Sequence, residues 1–427
     1  MLEERFRWIR GGIVRTVILS QRAHETFLEV PVEREDAALA WWRRYLRGHA
    51  ARVESITAPR PVRIVDLFCG SGGLALGLSE GLRASGCDPR IEMAVDVDEE
   101  ALAVYAFNLN PARTLLCSVT NLIEFQVFGQ LKSAEFAYKP EMIDPSFAAL
   151  KGGIDVICAG PPCQGHSNLN NHSRRDDPRN LLYLAVPAIA VALDAPAVII
   201  ENVPEVQSDK FGVVETAITL LKRSGYQITD YVVKSSSLGC AQLRRRYFLI
   251  ASRGPLPQSL RATIEKLEKS PVSVAWAIDD LRETVPNSVF DSSPSLSYEN
   301  KRRVDYLFDE GLFDLPNEVR PDCHKNGHTY GSVYGRLDWN KPAQTITTGF
   351  LTPGRGRFIH PLERRVLTPH EAARLQAFPD SFKFVLPGRP APSRQDLSKW
   401  IGDAVPSVMG HAAGICLAAA LSIAPRD

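Results

Sequence analysis

The 427-residue chain lacks an excess of either charge: 50 Lys and Arg stand against 49 Asp and Glu, for a net +1. Net charge therefore argues neither for nor against a polyanionic partner. Only local clusters carry weight, at Arg43-Arg44, Arg174-Arg175, Arg244 to Arg246 and Lys301 to Arg303. Paired cysteines are also missing. Eight cysteines lie far apart with no C-x-x-C spacing, in a chain long enough to need no staples, which favours a reducing cytoplasm over a disulfide framework. Long apolar runs are scarce: Pro187, Asp194 and Pro196 break one, and that near Ala412 to Ala424 is short, so no membrane-spanning helix or signal peptide is expected. No H-x-E occurs, which removes the zinc deaminase signature. Cys163 with His166 and His172, and Cys323 with His324 and His328, have no second ligand pair at metal spacing, so no metal is expected. Repeats and low-complexity tracts are absent.

What is present is core. Hydrophobic residues make up 44% of the chain, enough for two domains or one with insertions. From residue 61 to about 252, short β-branched runs alternate with helical patterns, as in a parallel sheet wrapped by helices. Strands are expected at Arg63 to Leu67, Ile91 to Val95, Asp155 to Ala159, Ala197 to Ile200 and Tyr247 to Ala251. After Gly73, the stripe Gly73, Gly77, Gly81 predicts a helix that approaches a strand closely. Periodicity weakens from Pro255 to about Tyr330, which reads as a loop-rich segment. Helical order returns with Thr368 as cap and Pro369 at the first helical position, and a last helix should run from near Val405 to about Ala424. Residues 1–60 read as an extension with two short strands and a helix, Asp36 to Arg47. The expected division is 1–60 extension, 61–255 catalytic and cofactor-binding domain, 256–385 target-recognition domain and hinge, and 386–427 a segment completing the catalytic domain.

Four polar clusters sit at predicted strand ends, where ligands bind in an open α/β sheet. Asp66 to Gly73 follows the first strand, Gly160-Pro161-Pro162-Cys163-Gln164 the third, and Glu201-Asn202-Val203-Pro204 the fourth, while Gln242 to Arg246 leads into the fifth. Gly70-x-Gly72-x-x-Ala75 satisfies a dinucleotide fingerprint, with Asp96 placed to hold a ribose. Asp66 and Phe68 suit a cationic, adenine-bearing methyl donor equally well, and tight packing is a third reading of the glycines. Cys163 decides between them. A lone cysteine is usually a small buried hydrophobe, but two prolines fix the backbone before this one, and Arg244 or Arg246 would favour its thiolate. Glu201 and the arginines also have plainer readings, as a helix-start carboxylate and an edge-strand charge run.

Taken in order, these residues resemble the DNA (cytosine-5) methyltransferase family from Val62 to Gly410. The matching segments are Asp66 to Gly73, Gly160 to Gln164, Glu201-Asn202-Val203, Gln242-x-Arg244-x-Arg246, Arg336 to Gly349 and Ile401 to Pro406, with Leu367 to Asp380 similar to the hinge. The resemblance implies a Rossmann-like S-adenosylmethionine-dependent α/β sheet with a second, smaller target-recognition domain. It implies that Cys163 adds to cytosine C6, that Glu201 binds the N3 and N4 edge, and that Arg244 and Arg246 hold base and carboxylate. The cofactor would be cradled by Asp66, Phe68, Gly70, Gly72, Gly73, Asp96, Val97, Ser118, Pro162, Asp403, Ala404 and Val405. Gln164, Ser167, Gln242, Arg302, Arg303, Thr347 and Arg355 would contact DNA, Lys301 and Arg357 helping with phosphates.

Three positions depart from the family pattern. Ser118 stands in place of an aspartate, Ala241 in place of a proline and Asp403 in place of an asparagine. The expected enzyme is a cytoplasmic monomer acting on double-stranded DNA beside a partner restriction endonuclease. An RNA (tRNA) cytosine-5 methyltransferase and a catalytically silent DNA-binding protein of the same fold are the alternatives.

Overall fold

Three eight-residue strands open the chain, β1 (Leu2–Ile9), β2 (Gly12–Leu19) and β3 (Arg22–Glu29), in place of the two short ones expected. They form an antiparallel meander in the computed structural model, which describes residues 2–31, 35–53, 60–162, 182–256, 259–325 and 333–421. The β2–β3 turn places Ser20 and Gln21 at φ 46° and 78° without the glycine or asparagine that usually marks such a turn, so the hairpin is hidden in the sequence. Helix α1 (Ala37–Leu46) follows, its first N–H groups capped by Asp36, and β4 (Arg52–Val53) adds a fourth strand. This module is fused to the body. The buried Arg15 guanidinium bonds Glu4 at 2.9 Å and Glu80 at 3.1 Å, and lies 2.7 Å from His411 Nε2 near the chain's end.

The body is built on β5 (Arg60–Leu67), α2 (Gly73–Ala84), β6 (Cys87–Asp96), α3 (Glu99–Leu109) and β7 (Thr114–Leu116). An insertion follows, in which β8 (Ile123–Glu124), β9 (Val127–Phe128), β10 (Glu135–Phe136) and β11 (Glu141–Met142) make two ribbons before α4 (Pro145–Ala148). Then come β12 (Val156–Ala159), α5 (Leu182–Ala192), β13 (Ala197–Asn202), α6 (Val213–Arg223), β14 (Gln227–Lys234) and β15 (Arg245–Ser252). The seven-stranded sheet runs β14-β15-β13-β12-β5-β6-β7. It is mixed rather than all parallel, because β15 pairs antiparallel with both β13 and β14. Both faces are covered. Val62, Ile64 and Ile199 join one core while Val65, Leu67 and Ile200 join the other, which explains why these strands read as continuous apolar runs.

The segment after β15 is more helical than its composition suggests, holding α7 (Leu260–Leu267), α8 (Val274–Ile278) and α9 (Tyr298–Asp309). In α9 only Val304 and Leu307 are buried, too few apolar positions to reveal the period. Helix α10 (Pro369–Leu375) begins with the expected cap, Thr368 accepting from Glu371 N, and α11 (Arg394–Asp403) leads to α12 (Ser407–Leu421).

The glycine stripe of α2 meets α12, not a strand. A Cβ at Gly77 would stand 1.9 Å from Ser407 O, and one at Gly414 would stand 2.6 Å from Leu78 O, so the two backbones pack where side chains would not fit. Arg394–Leu421 is long and apolar enough to cross a membrane, yet 94% of its apolar window is buried inside the protein.

Candidate active site

The carboxyl ends of β5, β6, β12 and β13 open onto one cleft of ≈ 340 Å³. The β5–α2 loop makes its floor. Phe68 holds φ 56°, a left-handed conformation that costs a non-glycine residue about 1 kcal/mol or more, and Gly70 and Gly72 are at φ 51° and 99°. Asp96, at the end of β6, fixes this loop: one carboxylate oxygen accepts from Gly70 N at 2.8 Å, the other from Val97 N and Asp98 N. Asp66 is buried beneath it. Burial pushes its carboxyl up to about 7 against the hydrogen bond from Tyr105 Oη, 2.8 Å away, so it carries less negative charge at neutral pH than its residue type implies.

One wall is the turn after β12. Gly160 N donates to Leu67 O at 3.3 Å and Asn202 Nδ2 to Pro161 O at 3.2 Å, so both neighbouring strands hold the backbone that leads into Cys163. Cys163, Gln164 and Ser167 lie outside the described residues. Glu201 stands against this turn, its Oε2 3.6 Å from where a Cβ on Gly160 would sit. Its Oε1 lies 2.9 Å from Arg246 Nε. Burial raises the Glu201 carboxyl, and the Arg246 and Arg244 guanidinium groups pull against that rise without cancelling it. A buried carboxyl that gains a proton more readily than an exposed one, beside a cation, is equipped to share a proton with a bound base.

Of the residues assigned to the cofactor, all line the cleft except Ser118, whose hydroxyl bonds Thr120 Oγ1 at 2.8 Å instead. Asp403 opens onto the cleft with its carboxyl pushed up by burial, and Ala404 and Val405 complete that side. Sequence reasoning missed Asp98, Lys399 and Trp400, which also line it, and gave Cys69, inside the Asp66 to Gly73 cluster, no role. Only the i, i+4 spacing of Lys399 and Asp403 on α11 could have pointed to one of them. A larger cavity of ≈ 520 Å³, between residues 281–301 and 363–371, gathers no strand-end residue and is not where this chemistry assembles.

Burial bears on two of the assignments. Gln242 faces no surface. Its Nε2 donates to Leu375 O at 3.0 Å and Gln376 Oε1 at 2.9 Å, and its Oε1 accepts from Ile346 N at 2.8 Å. It ties the segment before β15 to the end of α10 and to the 345–348 segment. Gln242→Ala should therefore lower stability by about 2–4 kcal/mol, since it leaves a cavity and unpaired buried groups, and should leave the salt dependence of DNA binding unchanged. Denaturant unfolding and salt titration check both parts. Arg244 is likewise buried and donates to the carbonyls of Ile346, Gly402 and Asp403. It positions the cleft wall and bears on Glu201 through its charge.

The DNA assignments divide in the same way. Arg302 and Arg355 are exposed. The Arg303 guanidinium sits over the Tyr334 ring and donates to Val319 O, and Arg357 donates to the Phe313 and Arg336 carbonyls, so both are engaged within the protein. Thr347 is half-buried, its hydroxyl accepting from Gly349 N.

The model of the C-5 cytosine-specific DNA methylase family matches residues 62–414. The chain is 43% identical over 351 residues to the type II methyltransferase M1.BsuMI of Bacillus subtilis, covering 82% of this chain and 79% of that protein. It is 29% identical to the type II methylase M.HgiDII of Herpetosiphon aurantiacus, over 82% and 92% of the two chains. Among solved structures, a protein described as a DNA modification methyltransferase encoded within an E. coli prophage superposes with a TM-score of 0.56 at 26% identity, covering 85% of this chain and 99% of that one. Members of this family use S-adenosylmethionine as methyl donor, and the cleft fits such a group: its volume is that of a small-molecule site, and at Gly70 a Cβ would meet nothing within 4 Å. With a family model spanning most of its length and a strand-end cleft holding the matching residues, the chain belongs to the C-5 cytosine-specific DNA methylase family and is a DNA (cytosine-5)-methyltransferase.

Proposed function

We propose that this enzyme methylates C5 of a cytosine flipped out of a specific double-stranded DNA sequence, through a covalent bond from Cys163 to C6, as the modification half of a restriction–modification pair. The observation that carries the reading is the buried Glu201–Arg246 pair set against the Gly160–Pro162 turn, in the same cleft as the glycine loop. Likeness to enzymes named type II methyltransferases supports the biological role.

The chemistry follows from what each residue can do. Cytosine C5 is too poor a nucleophile to react unaided. Addition of the Cys163 thiolate to C6 pushes the ring electrons toward C5 and N3, and Glu201, protonated, donates at N3 while the charge develops. Arg246 fixes the Glu201 carboxyl and offers its remaining N–H groups to the base. Bound S-adenosylmethionine supplies an electrophilic methyl group on a sulfonium; Phe68, Asp96, Pro162 and Val405 would hold it. Loss of the C5 proton to a solvent base then reforms the C5–C6 double bond and expels the Cys163 thiolate, and N3 returns its proton to the Glu201 carboxylate, so sulfur and protons balance over the cycle. Since the target is inaccessible inside a duplex, flipping costs a few kcal/mol, which contacts in the cleft must offset.

Expression in cells without their own cytosine methylation, followed by bisulfite sequencing of the plasmid, tests the reading. Protected cytosines in one short sequence context are expected. Unprotected DNA from soluble, folded enzyme would reject it, and methylated transfer RNA in the same cells would favour the RNA alternative. Phosphate contacts are assigned to Arg302 and Arg355. Arg302→Ala should reduce the salt slope of DNA binding by about 1, whereas Arg303→Ala should lower the melting temperature and leave the slope alone; filter binding across salt concentrations separates them.

A further inference from the structure

The methyl donor required by the proposed function carries one anionic group, the α-carboxylate of its methionine portion, next to an ammonium. The cleft is rich in acids, with Asp66, Asp96, Asp98, Glu201 and Asp403 in its lining, so the carboxylate needs a cation to enter. Among the described residues, three cations line the same cleft. Arg244 donates to three backbone carbonyls, and Arg246 is engaged by Glu201 and by the Arg245 carbonyl.

Lys399 differs from both. Its side chain is 55% exposed, and its ammonium lies 2.5 Å from Asp98 Oδ2. An ammonium has three N–H donors, so one bond to Asp98 leaves two for a ligand. Asp98 is itself fixed as the cap of α3, accepting from Ala101 N at 3.0 Å, which makes the anchor of the ammonium rigid. The hydrogen bond to Asp98 raises the Lys399 ammonium above its ordinary range, and Asp403 and Asp96 add to the effect, so it stays charged. Lys399 and Asp403 are four residues apart on α11, hence on one face of the helix and one turn apart. A cation and an anion on one face of a helix offer opposite charges to the carboxylate and ammonium of an α-amino acid.

We propose that Lys399 binds the α-carboxylate of the methyl donor, with Asp403 taking the adjacent ammonium. This inference rests on the methyl-donor reading above, and the test separates the two. Calorimetric titration of the purified enzyme with S-adenosylmethionine and with its decarboxylated analogue measures the preference for the carboxylate. Wild type should prefer the carboxylate-bearing ligand by about 10- to 100-fold, the range for hydrogen bonds to a charged group. Lys399→Met should lose most of that preference while binding the decarboxylated analogue as wild type does, and Lys399→Arg should retain it. Because Lys399 is largely exposed, the variants should melt at the wild-type temperature. An unchanged preference in Lys399→Met would overturn the assignment while leaving methyl-donor binding intact. If folded wild-type enzyme bound neither ligand, the methyl-donor reading would fall and this inference with it.

Discussion

Cys163→Ala should reduce methyl transfer by about 10⁴-fold or more in single-turnover assays, while cofactor and DNA affinities stay within about threefold of wild type. The expectation follows from the order of bond changes. Unless sulfur adds at C6, C5 has no electron density to offer, so no rearrangement of the other residues can substitute. Loss should therefore be in kcat, with KM preserved, because the thiol contributes little to binding either ligand. The variant should also fail to form an adduct with DNA carrying 5-fluorocytosine, in which the missing C5 proton traps the covalent intermediate of the wild-type enzyme. A Cys163→Ala enzyme that still methylated within tenfold of wild type would reject covalent catalysis. The scaffold reaches to the edge of the nucleophile: Gly160 N on Leu67 O and Asn202 on Pro161 O bind the turn to two buried strands.

Much of this site is legible from the sequence because its parts are local. The runs Val62 to Val65, Val156 to Ala159 and Ala197 to Ile200 are apolar without alternation, as strands covered on both faces must be, and the polar residues after each are confined to the sheet's carboxyl edge. What stayed hidden depends on partners distant in the chain. Gln242 sits in a motif that suggests ligand contact, yet its hydrogen-bond partners are 104 to 134 residues away and turn it inward. The α2 glycines announce close packing but not with what, and α12 is more than 300 residues downstream. Lys399 and Trp400 belong to no strand end and acquire their place only when α11 folds over the cleft. The third strand and the full length of the N-terminal meander, read as two short strands, were hidden for another reason. Its outer strands β1 and β3 are rich in charge, and the Arg15 and Glu4 side chains that look solvated are buried against His411.

Glu201→Gln should lower kcat by about 10²- to 10⁴-fold, the range for loss of a positioned general acid, with a smaller effect on cofactor affinity. The pH dependence distinguishes this role from simple base binding. Burial raises the Glu201 carboxyl, so its protonated form persists to higher pH than that of an exposed glutamate, though Arg246 and Arg244 limit the rise. Proton donation at N3 needs that form. Wild-type kcat should thus fall as pH rises through the Glu201 pKa and gain on the acid side until the Cys163 thiolate becomes scarce, giving a bell. Glutamine keeps a donor N–H at every pH but has no proton to transfer, so the alkaline limb set by Glu201 should vanish while the overall rate stays low. The substitution also removes a buried negative charge and leaves Arg246 without its partner in a low-dielectric site, which should cost stability of about 3–5 kcal/mol in the worst case. Rates should therefore be compared at a temperature where both proteins are fully folded. A Glu201→Gln enzyme with wild-type kcat and an unaltered alkaline limb would assign the proton transfer to another group, and the Glu201 carboxyl, paired with Arg246 beside the Gly160–Pro162 turn, would then be left with positioning the base alone.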